Sequence, residues 1–211
     1  MEKRQLIYEP MTAFTDLIIT VLGLMFAKGL YEHFSVTALN VHLYWGFAFF
    51  MLATGAFFGA VSHGFGPYFS QKVKAILWKI TTLSIGIVSV SFLYVLIDYF
   101  PGVSSLGWIR WIPFIFYIVY ILVIMVNDKF INVIRFYVPV MLLVLLAMLY
   151  SQFVMKTAGP GYVSIGILIS FIGAGVQASR FDLHKHFNHN DIYHVIQMFG
   201  MWFLYKGAMM M

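Results

Sequence analysis

The chain has 211 residues, of which 62% are hydrophobic and 10% charged, with a formal net charge of +5 and no cysteine; its mean hydropathy is +0.88. A soluble domain of this size has too little interior to hide so much apolar surface, so the composition indicates an integral membrane protein. The absence of cysteine excludes disulfides and thiolate metal sites. The basic residues are scattered over short connections, which fits membrane topology better than nucleic-acid binding.

About twenty apolar residues cross the hydrocarbon core as a helix, and polar punctuation divides the chain into seven such stretches. They are expected near Met11–Gly29, Leu43–Phe65, Ala75–Ile97, Trp108–Val126, Phe136–Phe153, Tyr162–Ala178 and Asp191–Ala208. The first follows Lys3 and Arg4 as a signal peptide would, but it carries Glu9 and Asp16 and lacks a small-residue cleavage pattern, so it reads as retained. Pro113 and Pro139 are expected near helix starts, where proline is tolerated. The connections are too short for a second domain. The expected fold is one all-α domain over residues 1–211, a bundle of seven transmembrane helices.

Lys3, Arg4, Lys72, Lys74, Lys129, Arg135, Arg180 and Lys185 fall on the amino-terminal side, against Lys28, Arg110, Lys156 and Lys206 on the other. This bias predicts a cytoplasmic amino terminus and a carboxyl terminus outside. The compact chain with minimal loops suggests a bacterial inner membrane.

With that topology His63 ends the second helix and His194 lies one turn into the seventh, on the same side. Glu9, Thr12, Asp16 and Thr20 form one stripe on the first helix. Asp16 lies roughly 8 Å into the span, where facing lipid would cost about 2.5–3.5 kcal/mol, so it is expected to face the bundle. The third helix offers Lys79, Thr82, Gly86 and Ser89 on one face, and the fourth ends with Asn127 and Asp128. Gly55 and Gly59 lead to His63 at intervals of four, while Gly166, Ser170 and Ala174 repeat the pattern on the sixth helix with Gln177 below. Such stripes read as close helix packing or as a cleft for a lipid chain.

Neutral imidazole is a common zinc ligand, and zinc lowers the pKa of its bound water to about 7. His63 and His194 are the first candidate ligands. Asp191 shares the His194 face, whereas His189 is turned roughly 140° away unless the helix begins only at Asn190. Asp16 is a further ligand or the acceptor that orients a histidine. The alternative reading of Asp191 is a favourable helix amino-terminal charge, with Asn190 as cap.

Seven helices, His63 closing the second and Asn190-Asp191-Ile192-Tyr193-His194 opening the seventh, resemble the alkaline ceramidase and progestin–adiponectin receptor superfamily. The resemblance implies a membrane-embedded hydrolase fold with zinc in the cytoplasmic half. Against that family's pattern, Gly59 stands at the serine position with Ser62 beside His63, Asn190 replaces the first histidine of the last helix, and the third helix offers Lys79 and Thr82 but no aspartate near its start. Glu9 and Asp16 are similar in type to acidic residues that bind calcium in the ceramidases. The leading expectation is zinc-assisted hydrolysis of a lipid amide or ester, with Asp16, Ser62 and Lys79 near the reacting bond and Glu9, Thr82, Asn190 and Gln177 lining the pocket. Its alternatives are a lipid-binding or sensing protein with a buried polar network, and a small proton-coupled transporter.

Overall fold

A computed structural model describes residues 6–184 and 187–211; Lys3, Arg4, Lys185 and His186 lie outside the described residues. Among the described residues there are seven long helices: α1 (Pro10–Thr37), α2 (Asn40–Phe65), α3 (Gln71–Tyr99), α4 (Trp111–Val126), α5 (Phe130–Tyr150), α6 (Pro160–Ser179) and α7 (His189–Ala208). Helices α1 to α6 are long and apolar enough to cross a bilayer, counting the short helical turns that flank α2, α4 and α5. This marks an integral membrane protein.

The helices overrun the expected apolar cores because their polar ends need no lipid. α1 continues past Gly29 through the exposed pair Lys28 and Glu32 until Ala38 adopts a left-handed conformation and accepts the turn. Ser70 caps α3 by accepting the Val73 amide. α5 begins at Phe130 rather than near Phe136, so Pro139 lies inside it instead of at its start. Gly159 is the one glycine with positive φ, at 97°, and a Cβ there would meet the Gly207 carbonyl at 2.7 Å. Both demands exclude a side chain at this turn into α6.

α1, α2, α3, α5, α6 and α7 contact one another in a closed ring, and α4 packs outside it on α3. The interior is filled by Leu30, Trp45, Met141, Met148, Ile167 and Met201, all fully buried. Trp45 meets Phe92 with ring centroids 5.0 Å apart. Glycines permit close approaches between neighbouring helices of the ring. A Cβ on Gly23 would touch Ala53 at 2.9 Å, locking α1 to α2, and one on Gly166 would meet the Gly200 carbonyl at 2.8 Å, locking α6 to α7. Gly166 and Ser170 of the α6 stripe therefore lie in a helix-packing seam against Gly200, while Ala174 is exposed. Further along, Phe26 of α1 stacks on Tyr205 of α7 at 4.5 Å. That stack closes the ring and brings the opposite halves of α1 and α7 face to face.

Candidate functional site

α7 carries Asp191, His194 and Gln197 at intervals of three, and all three are buried. Its start is specified by Asn188, whose side chain accepts the amides of Asn190 and Asp191 at 2.8 and 3.4 Å, while Asp191 Oδ2 accepts the Asn188 amide at 2.7 Å. This reciprocal capping box makes Asn188, not Asn190, the cap, and it starts the helix at His189. His189 is consequently not on a flexible approach. Its backbone amide and Nδ1 both engage Asp182 Oδ1, at 2.8 and 2.7 Å. These hydrogen bonds hold the exposed Asp182 carboxyl below its ordinary range.

On α1, Thr15 and Asp16 reach the same point from the opposite side. His194 Nδ1 lies 2.8 Å from Thr15 Oγ1, and His194 Nε2 lies 3.3 Å from Asp16 Oδ1. Asp16 is 5% exposed and His194 7%. The other carboxyl oxygen, Asp16 Oδ2, is buried without a hydrogen-bond partner among the described residues, as is Asp191 Oδ1. Gly59 of α2 makes room for Asp16, since a Cβ there would sit 3.0 Å from Oδ2. Gly59 is thus the seat of the Asp16 carboxyl group on α2.

His63 lies within electrostatic reach of His194, but its hydrogen bond goes elsewhere. Nδ1 is 2.6 Å from Glu9 Oε2, and both side chains are about one-third exposed at the rim. Backbone bonds from Tyr8 to Gly64 and from Glu9 to His63 pin the start of α1 against the end of α2. Ser62 donates to the Phe58 carbonyl of its own helix. Together Ser62, His63 and Glu9 line an open groove of about 740 Å³.

Other expected pocket residues are placed apart from this centre. Thr82 is buried against α4, where its carbonyl accepts from Tyr120 at 2.7 Å, and a Cβ on Gly86 would overlap the Tyr120 ring. The Thr82 and Gly86 face of α3 therefore turns toward α4, and Lys79 on the same face accepts from the Thr82 hydroxyl through its backbone carbonyl at 3.1 Å, while its side chain forms no hydrogen bond or ion pair with a described residue. Asn127 and Asp128 follow α4 outside the ring, and their carbonyls accept from Asn132 and Trp78. Gln177 donates to Asn190 at 3.1 Å, a separate bridge between α6 and α7. Gln197, not singled out in the sequence, continues the polar face of α7 to a water-sized void of about 10 Å³ that Tyr137 also lines. Its spacing of three from His194 was the available signal.

The donor set does not fit zinc. Asp16 and His194 converge as expected, but His63 is held by Glu9 and His189 by Asp182, and Asp191 spends one of its two carboxyl oxygens on the capping box. Among the described residues no three of His, Asp or Glu are grouped to hold a metal ion.

No curated protein and no solved structure matches the chain. One family does, from residue 11 to residue 211, which takes in α1 to α7 with Asp16, His63 and His194. The chain therefore belongs to the family of unknown function DUF6962.

Proposed function

We propose that this protein binds and exchanges a proton within the membrane, as a relay or as the proton site of a carrier, with Asp16 and His194 as the site. The observation that carries this reading is the pattern of hydrogen-bond donors around His194. Thr15 Oγ1 lies 3.0 Å from the Thr12 carbonyl and 2.8 Å from His194 Nδ1; with its one hydrogen given to the carbonyl, Nδ1 of His194 supplies the hydrogen between itself and Thr15. Nε2 then faces Asp16 Oδ1 with one proton for the two of them. If that proton left, a lone pair would face a carboxylate in a site with little water, so its loss must be coupled to rearrangement.

Glu9 and His63 at the rim are the exchange route to the amino-terminal side, and Gln197 with the void below it continues the polar path inward. Thr15, His194 and Asp16 also have the order of a nucleophile, base and orienting acid. Neither the groove nor the void is lined by any of the three, which argues against a substrate there.

The same reading takes α7 as a seventh span. Its low hydropathy comes from Asp191, His194 and Gln197, which are buried, while Phe199 and Trp202 face outward. The bias of basic residues supports a cytoplasmic amino terminus in a bacterial inner membrane. His63 closing α2 and His194 opening α7 support a divergent relation to the ceramidase and adiponectin receptor superfamily.

Infrared difference spectroscopy on proteoliposomes taken through an acid step tests the proton site. A carboxyl band is expected in the wild type, lost in Asp16→Asn and displaced in His194→Gln. An Asp16→Asn spectrum identical to wild type would overturn the assignment.

A further inference from the structure

We infer that the groove at the amino-terminal rim is a binding site for an anionic phospholipid, with Lys74 holding the phosphate. This goes beyond the proton site and does not rest on it. The groove, of about 740 Å³, lies where α1 begins, α2 ends and α3 begins, and is lined by Glu9, His63, Lys74, Leu77 and Trp78 among others. Its carboxylate, Glu9, is taken by His63 at 2.6 Å. Lys74 makes no hydrogen bond or ion pair with a described residue through its side chain, so none of the described residues answers the charge it presents to the cavity.

A second, shallower groove of about 620 Å³ adjoins the first at Phe69, which lines both, and continues along Leu6 and Phe65. Leu6 and Phe65 are exposed, at 82% and 43%. One cationic end and one apolar end complement an amphipathic anion. At the end of helices long enough to cross a bilayer, a lipid of the surrounding leaflet supplies that chemistry: its phosphate at Lys74, its chain along Phe69 and Phe65.

The test is lipid retention by the full chain, purified from vesicles containing phosphatidylglycerol and phosphatidylcholine and read by native mass spectrometry. Wild type is expected to retain phosphatidylglycerol preferentially, and Lys74→Gln to lower that retention about fivefold, the effect of one basic residue at a membrane surface. Lys72→Gln, an exposed neighbour outside the groove, is the control and should change nothing. Phe69→Ser should weaken lipid retention without changing the binding of inorganic phosphate. Unchanged retention in Lys74→Gln, or equal retention of phosphatidylcholine, would overturn the proposal. Lys74-dependent binding of inorganic phosphate that Phe69→Ser leaves intact, with no preference for phosphatidylglycerol, would assign the groove to free phosphate instead. Unfolding temperatures of the three variants separate lost binding from lost fold.

Discussion

Gly59 and Asp16 are complementary across the α1–α2 contact: the missing Cβ of one is the space taken by the carboxyl of the other, with 3.0 Å between the built Cβ position and Oδ2. The same carboxyl meets His194 at 3.3 Å through Oδ1. A glycine on α2 thereby positions a contact between α1 and α7. A neighbour held on both sides has little room to give, because packed interiors do not absorb extra volume.

Gly59→Ala is expected to push the Asp16 carboxyl off His194 and to destabilise the protein by about 1–3 kcal/mol, as overpacking of a filled site does. Gly175→Ala is the matched control, because a Cβ there meets nothing within 4 Å. Thermal unfolding in detergent should fall for the first and not for the second. Equal unfolding temperatures in both would mean that Asp16 is not seated against α2.

Protein purified without chelator is expected to carry no stoichiometric zinc, and adding a chelator should leave its unfolding temperature unchanged, since bound structural metal would contribute to folding. Zinc at one equivalent, lost in both His63→Ala and His194→Ala but kept in His184→Ala, would restore the hydrolase expectation. It would also require His63 to leave Glu9.

A reporter fused after Met211 should be active only if it works outside the cytoplasm. The expectation combines the bias of basic residues with the proposal that α7 is a seventh span. Cytoplasmic activity would mean that α7 lies along the membrane or that the bundle is inverted.

What the sequence determined by itself was local. Of the seven spans expected from runs of apolar residues, six correspond to helices long and apolar enough to cross a membrane, because the cost of exposing backbone and polar groups to lipid depends on composition over about twenty residues. The inward orientation of Asp16 followed from the same cost, and so did its shared depth with His194. The partners did not follow. Which groups meet depends on how each helix is rotated and which helix stands beside it, and these are set by close contacts between segments far apart in the chain.

Gly166 against Gly200 selected helix packing over a lipid cleft, and Tyr120 drew the Thr82 face of α3 toward α4 and away from the centre. Asn188 took the capping role expected of Asn190, which committed Asp191 to the backbone, while Glu9 captured His63 at the rim. The short polar motif at the start of α7 is readable as metal ligands or as a helix cap with equal ease. Only the tertiary structure decided between them, because Glu9 holds His63 and Asp182 holds His189, so that among the described residues no three ligand side chains are gathered around one point.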